Sequence, residues 1–176
     1  KIYKPNEILA LTFTNKAATE MKERIKESIN CDGVNVGTFH SIGARILRRH
    51  IGYLNEKYNN DFTIYDVSDQ KALLKEVVEQ LNIAEFKELN INFLRSQLDN
   101  FKNNSMTVEE VEAKANSFED EKIAEVYKRY SELLLSNNAV DFNDLIGMPI
   151  KLFKHSSALL EKYQQSWKYI LVDEFQ

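Results

Sequence analysis

The sequence is poor in the residues that tight turns, disulfides and membrane spans require. Two Pro and five Gly in 176 residues favour long helices over an all-β fold. Cys31 is the single cysteine, which excludes an internal disulfide and fits a reducing, cytoplasmic setting best. The first apolar run, Ile8 to Leu11, is too short for a signal sequence and far too short to cross a bilayer, so no membrane association is expected.

An excess of charge of one sign is also missing. The 23 basic and 27 acidic residues leave a net charge of -4, so any nucleic-acid site has to be a local surface rather than a property of the whole chain. Hydrophobic residues make up 43% of the chain and charged residues 28%, proportions typical of a globular protein with a packed core. The chain begins with Lys1 rather than Met and stops at Gln176 directly behind an apolar run, and we expect both ends to be cut.

Short apolar runs that alternate with amphipathic helices predict a parallel α/β sheet. Ile8–Phe13 is predicted to be a buried strand, and the apolar residues that recur every fourth position from Ala17 to Ile29 predict a helix behind it. A second strand is predicted at Val34–Gly37, followed by another helix, and a final buried strand is predicted at Tyr169–Val172.

The middle of the chain has a different pattern, which predicts an all-helical insertion. After Gly52 the sequence is rich in Lys and Glu, and its apolar residues recur at helical spacing. Thr107 and Glu110 have the spacing of a capping box at a helix start. Because no β-rich run interrupts this block, we expect residues 53–137 to form a self-contained helical subdomain. Beyond it, Asp141 is expected to cap a further helix.

Polar and aromatic residues follow three of the predicted strands, at the sheet edge where α/β proteins bind their ligands. Asp173 and Glu174 come after the last strand, an arrangement in which one carboxylate can hold Mg²⁺ and the other can activate an attacking water. The loop Thr12–Ala18 offers an aromatic ring, hydroxyls, an amide and an ammonium group, which suit a sugar-phosphate backbone and one stacked base. The loop Gly37–Ser41 lies at the same edge, where His40 suits a hydrogen bond to a phosphate or backbone group.

Each of these loops, taken singly, has a simpler structural interpretation. Asp173 is the kind of residue that caps a helix after a strand, Phe13 is of a type common in cores, and Asn15 is a frequent helix cap. A zinc site at His40 is excluded, because the other two His, at positions 50 and 155, give no H-x-x-x-H or H-E-x-x-H spacing.

Four strings in one order resemble the motifs of superfamily 1A DNA helicases of the UvrD/Rep/PcrA group. They are Leu9–Ala18, similar to motif Ia; Val36–Ser41, similar to motif Ib; Val140–Leu145, similar to the VDF-x-DL element; and Ile170–Gln176, similar to motif II, the DExQ form of Walker B. They span positions 9 to 176, nearly the whole chain, and a chance match of all four is not credible.

The resemblance implies an α/β fold with a partial RecA-like sheet of the P-loop NTPase type, interrupted by the all-helical subdomain. Motor domain 1A would occupy residues 1–52 and 138–176, and helical domain 1B would occupy 53–137. Asp173 would then serve Mg²⁺, Glu174 would be the general base and Gln176 would sense the γ-phosphate region. The residues that would line a single-stranded DNA track are Phe13, Asn15, Thr38, Phe39, His40 and Phe142.

The function that the resemblance implies is ATP-dependent 3'-to-5' DNA helicase or translocase activity, on single-stranded DNA and ss/ds junctions, in DNA repair or replication. The chain departs from the family pattern because no G-x-x-x-x-G-K-[ST] occurs: none of its five glycines precedes a Lys. The family places that loop before motif Ia, upstream of Lys1, so the chain has no cofactor-binding loop of its own and is expected to be inactive alone.

Two alternatives to a UvrD-like helicase stay open at this point. The parent protein could be a helicase–nuclease subunit related to RecB or AddA, or a non-catalytic DNA-binding relic, although the retention of Asp173 and Glu174 argues against the relic. We also expect the sheet edge near Val172 to be unprotected and to let the chain self-associate.

Overall fold

The computed structural model describes residues 3–29, 33–83 and 90–174. The chain divides into two compact units. The first comprises Lys1–His50 and Met148–Gln176, and the second comprises Ile51–Gly147. The block predicted as a helical insertion, 53–137, falls inside the second unit, which also takes in the residues up to Gly147.

Helices and strands alternate at both ends of the chain, and helices dominate its middle. In chain order they are β1 (Ile8–Thr12), α1 (Asn15–Ile29), β2 (Asn35–Thr38), α2 (Phe39–His50), β3 (Thr63–Tyr65), α3 (Val67–Gln80), α4 (Ile91–Asn103), α5 (Val108–Lys114), α6 (Phe118–Ser136), β4 (Ala139–Asp141), α7 (Asp144–His155), α8 (Ser157–Ser166) and β5 (Tyr169–Val172). Short 3₁₀ helices lie at Pro5–Glu7 and Ile51–Tyr53.

The first unit contains a three-stranded sheet in the order β2-β1-β5, and both pairings are parallel. Leu9 lies opposite Asn35 on one side and opposite Ile170 on the other. The prediction of a parallel α/β sheet is therefore confirmed. Because all three strands run in the same direction, the loops that follow them emerge at one edge of the sheet.

Both faces of β1 are buried. Ala10 and Val36 form a small cluster with Ala18, which brings α1 against one face. Leu9 and Leu11 are also buried, and because side chains alternate along a strand they lie on the opposite face. This double burial explains why β1 is a continuous apolar run in the sequence.

The last strand differs from its prediction as a buried strand. Three of its residues are about half exposed: Tyr169 at 46%, Ile170 at 56% and Leu171 at 49%. The reason is its position, because β5 pairs with β1 on one side only among the described residues and so forms an edge of the sheet. An apolar run in the sequence indicates a strand, but it does not show whether a neighbour covers that strand.

The second unit has a core shared by four helices. Its buried residues come from α3, α4, α5 and α6, together with Ile83 after α3 and Ala139 at the start of β4. Helix starts follow the sequence signals: Thr107 Oγ1 accepts the Glu110 N–H at 3.2 Å, and a Glu110 carboxylate oxygen accepts the Thr107 N–H at 2.8 Å. The predicted capping box is therefore confirmed. Among the described residues, no helix has the length and apolar content needed to cross a membrane.

The structure adds one strand that the helical prediction for 53–137 did not include. Thr63–Tyr65 forms β3, which pairs in parallel with β4, so the described part of this block holds a short strand besides its helices and turns. A three-residue strand is too short to show an alternating pattern, and its partner Ala139 is far away in the sequence. Propensity and periodicity are local signals, and they did not register this long-range pairing.

Candidate nucleic-acid and nucleotide interface

The loop after β1 presents Phe13 to solvent. Phe13 is 77% exposed, so the interpretation that places it in the core is wrong. Thr14 rather than Asn15 caps α1, because its Oγ1 accepts the Ala17 backbone N–H at 3.1 Å. The buried hydroxyl of Thr12 donates to the Thr14 carbonyl at 3.0 Å and fixes the turn. Asn15 has an exposed side chain beside Phe13, where a ligand can reach it.

The loop after β2 is fixed by a reciprocal pair of hydroxyl groups. Ser41 Oγ accepts the Thr38 N–H at 2.9 Å and donates to the Thr38 carbonyl at 2.9 Å, while Thr38 Oγ1 accepts the Ser41 N–H at 3.1 Å. Between them, Phe39 is 41% exposed and His40 is half-buried. Thr38 itself is only 5% exposed, so its side chain stabilises the turn and contributes little to the protein surface.

Gly37 is required by the same turn. A Cβ added at Gly37 would lie 2.6 Å from Ser41 Oγ and 3.3 Å from Ile42 Cδ1. Real Cβ atoms essentially never come within 3.0 Å of another atom, so any side chain at position 37 has to displace the Ser41 hydroxyl that bonds to Thr38.

Two carboxylates follow β5 at the same sheet edge. The Asp173 backbone N–H donates to the Leu11 carbonyl at 2.9 Å, which continues the pairing of β5 with β1 up to the first carboxylate. The side chains of Asp173 and Glu174 are both exposed. Glu174 has a φ of +53°, in the left-handed region, which costs a non-glycine residue about 1–2 kcal/mol. Strain of this kind is often found at functional sites. Gln176, the third predicted residue here, lies outside the described residues.

An open groove of about 380 Å³ connects Asp173 with α1. Its α1 lining consists of Ala17, Glu20, Met21, Arg24, Ile25 and Ser28. Across residues 3–29, 33–83 and 90–174, no group of three or more His, Cys, Asp or Glu is placed to hold a metal ion. The Asp173 carboxylate lines this groove and offers the kind of oxygen ligand that Mg²⁺ prefers.

Phe142 occupies the corresponding position in the second unit, directly after β4. It is 42% exposed. The turn beneath it is closed by two carboxylates: Asp141 Oδ1 accepts the Asp144 N–H, and Asp144 Oδ2 accepts the Asp141 N–H, both at 3.1 Å. The expected cap of α7 by Asp141 is therefore confirmed.

The structure brings most of the predicted site residues of the first unit to one sheet edge. Phe13 and Asn15 follow β1, Phe39 and His40 follow β2, and Asp173 follows β5. Sequence reasoning missed the residues that hold these loops. Thr38 and Ser41 form a T-x-x-S sequence, which has the three-residue spacing of a capping box. This spacing could have identified the pair that holds the loop after β2.

Comparison with known proteins gives a consistent result. Residues 1–176 match the family model described as the UvrD/REP helicase N-terminal domain. Over 173 residues, 98% of this chain, it is 39% identical to DNA helicase II of Rickettsia typhi and covers 26% of that protein. Over 174 residues, also 98% of this chain, it is 41% identical to the ATP-dependent DNA helicase PcrA of Staphylococcus epidermidis and 38% identical to that of Bacillus subtilis, covering 24% and 23% of them.

The chain thus spans about a quarter of the length of these curated relatives. The match to the family model runs over the whole of its length, through all four of the motifs described above. The chain belongs to the UvrD/REP helicase N-terminal domain family.

Proposed function

We propose that this chain is part of an ATP-dependent DNA helicase that couples ATP hydrolysis to 3'-to-5' movement along single-stranded DNA. The observation that carries the proposal is the single sheet edge that bears two exposed Phe, at positions 13 and 39, beside two exposed carboxylates, at positions 173 and 174. The family membership and the names of the three relatives reported above, each of them a DNA helicase, favour this function over a helicase–nuclease subunit or a non-catalytic relic.

The proposed DNA contacts divide into stacking and polar groups. Phe13, Phe39 and Phe142 offer ring faces, and base–aromatic stacking contributes about 1–3 kcal/mol per base without regard to sequence. Asn15 and His40 offer polar atoms for phosphate or sugar, which position a strand without selecting its sequence. Thr38 contributes through the turn that it closes. These groups suit single-stranded DNA, and we extend the proposal to ss/ds junctions as the substrate of the whole protein.

The proposed nucleotide chemistry uses the residues after β5. When bound, Mg²⁺–ATP supplies the γ-phosphoryl group that a water molecule attacks. Asp173 would hold the metal, Glu174 would orient that water and accept its proton, and Gln176 would sense the γ-phosphate. Asp173 lines the groove beside α1, and both Asp173 and Glu174 are exposed, which supports these roles because substrate and solvent can reach the two carboxylates.

Two further proposals concern the setting of the chain. A protein with this substrate and a single cysteine suits the cytoplasm. Within the described ranges β5 pairs on one side only, which supports weak self-association, since the backbone groups of an edge strand are a template for another strand. Sedimentation velocity at rising concentration tests the second point, and a clean monomer at the highest concentration would overturn it.

The decisive experiment replaces the matching segment of the Bacillus subtilis PcrA helicase with this chain. The hybrid should show ATPase activity that single-stranded DNA stimulates, whereas the 176-residue chain alone should show none. In the hybrid, Glu174→Gln keeps the size of the side chain but removes the base, and it should lower turnover by about 10²–10⁴-fold while ATP still binds.

The matched control is Glu161→Gln, the same change at an exposed position of α8. It should leave turnover unchanged. Equal rates of phosphate release in the two variants would show that Glu174 only ends a strand, and would remove the catalytic part of the proposal.

A further inference from the structure

A buried ammonium group sits beneath the turn that carries Phe142. Lys102 Nζ donates to Asp141 Oδ2 at 2.6 Å and to Asp144 Oδ2 at 2.8 Å. Its side chain is only 9% exposed, and those of Asp141 and Asp144 are 2% and 16% exposed. One residue of α4 therefore ties down both carboxylates that close the turn.

A second tether to α4 holds the remaining polar residue of the turn. Asn143 Nδ2 donates to Asp99 Oδ1 at 2.8 Å, and the other oxygen of Asp99 accepts from Arg95 Nη1 at 3.0 Å. Positions 95, 99 and 102 lie on one face of α4, as their spacing of four and three requires. All three polar residues of the segment 141–144 are thus held from below, and Phe142 is the one directed outward, at 42% exposure.

This arrangement costs free energy, because it removes three charged side chains from water. Burial alone would lower the pKa of Lys102, but the charges of Asp144 and Asp141 outweigh it and raise that pKa above its usual range. Burial raises the pKa of Asp144, so the second carboxylate is not fully compensated. Buried ion pairs of this kind rarely stabilise more than apolar side chains of the same volume, and their best-attested role is to fix one geometry. What is fixed here is the direction of the 141–144 turn.

We infer that Lys102 is a positioning residue for DNA binding: it holds the 141–144 turn so that the ring of Phe142 faces a DNA base, an inference that rests on the DNA-binding role proposed above for Phe142. Lys102 itself, 9% exposed, does not touch DNA. Lys102 acts on DNA binding indirectly, because it fixes the two carboxylates and these fix the position of the aromatic ring. The partner is single-stranded nucleic acid, recognised by its base faces.

The first measurement reports the position of the ring without DNA. Phe142→Trp is made together with Trp167→Phe, which leaves one indole because the chain has a single Trp. Adding Lys102→Met should shift the emission maximum of that indole and change its quenching by acrylamide. Lys128→Met is the matched control, because Lys128 belongs to an exposed ion pair with Glu112 in the same unit. The control should leave both quantities unchanged.

The second measurement is a double-mutant cycle of single-stranded DNA binding, followed by anisotropy of a labelled oligothymidylate at low salt. Phe142→Ala should weaken binding by about 5- to 150-fold, the equivalent of one lost stacking contact. Lys102→Met should weaken it by a similar factor, and Lys102→Arg, which keeps the charge, should recover part of the loss. In the double variant, Lys102→Met should add less than about twofold to Phe142→Ala, because coupled residues do not act additively.

The outcomes separate the inference from the proposed function. If Phe142→Ala binds DNA like the unmodified chain, the DNA role of Phe142 is wrong and the inference falls with it. If Phe142→Ala weakens binding but the effect of Lys102→Met multiplies with it, or equals that of Lys128→Met, only the positioning role is wrong. Should Lys102→Met fail to fold by circular dichroism, Asn143→Ala replaces it in the same cycle. That change deletes a single tether, and a multiplicative effect would again overturn the inference.

Discussion

Phe39 in the first unit and Phe142 in the second stand in comparable places, each directly after a strand and each about four-tenths exposed, at 41% and 42%. The turn under Phe39 is held by uncharged hydroxyls three residues apart, those of Thr38 and Ser41. The turn under Phe142 has the same reciprocal spacing but uses carboxylates, and these need Lys102, 39 and 42 positions earlier in the chain, to be buried at all.

The difference shows how local chemistry sets the range of an interaction. A hydroxyl cap is complete within one turn of helix and carries no net charge, so it needs nothing from the rest of the protein. A pair of buried carboxylates requires a counter-charge, which only tertiary structure can supply. Substitutions in the turn under Phe39 should therefore lower the free energy of unfolding only a little, whereas loss of the counter-charge under Phe142 should lower it much more.

The largest expected effect tests the ionic turn, which is the turn under Phe142 that charged side chains hold. Lys102→Met leaves two carboxylates buried without their counter-ion, and it should lower the free energy of unfolding by about 3–5 kcal/mol. Lys128→Met, which removes an exposed pair, should change it by less than about 1 kcal/mol. Urea unfolding followed by circular dichroism measures both. If the two losses in free energy are equal, the buried charges of Lys102, Asp141 and Asp144 matter no more for stability than an exposed ion pair.

The next effect tests the neutral turn, the turn under Phe39 that uncharged hydroxyls hold, by adding a side chain to it. Gly37→Ala places a methyl group where Ser41 Oγ now lies, and it should lower the free energy of unfolding by about 1–3 kcal/mol. Gly147→Ala is the control, because a Cβ there meets nothing within 4 Å. It lies in α7 and should stabilise the protein by about 0.5–1 kcal/mol. Thermal melting of the pair should give shifts of opposite sign, and shifts of the same sign would contradict the packing argument.

A comparable effect, on binding rather than stability, tests the exposed edge of the first unit. Phe13→Ala should weaken single-stranded DNA binding by about 1–3 kcal/mol while leaving the melting temperature unchanged, because the ring is exposed. The control is Phe118→Ala in the second unit, where Phe118 is 58% exposed but begins a helix away from any strand end. Loss of stability with unchanged affinity in Phe13→Ala would assign that ring to packing.

The smallest expected effect is the loss of one hydroxyl from the turn under Phe39. Ser41→Ala removes the oxygen that accepts the Thr38 N–H and should lower the free energy of unfolding by about 1 kcal/mol, the usual net contribution of a hydrogen bond. Ser41→Thr should retain most of the stability, since it keeps the hydroxyl. A loss as large as that of Lys102→Met would mean that the two turns do not differ in the way described.

Much of the fold followed from the sequence, since its signals are local. Continuous apolar runs identified β1 and β5, and the four-residue spacing identified α1. The exposure of β5 did not follow, because an apolar run cannot show which neighbour covers it. Nor did β3, whose three residues pair with a strand more than seventy positions later.

For the candidate site, the sequence by itself determined which residue types follow each strand and, through their order, the family to which the chain belongs. Tertiary structure alone decided that Phe13 lies in solvent rather than in the core, because burial depends on what packs against a residue and not on its type. It also decided that Lys102 pairs with Asp141 and Asp144. Charges distant in sequence meet only when the chain has folded, and their strong interaction comes from the exclusion of water that folding brings.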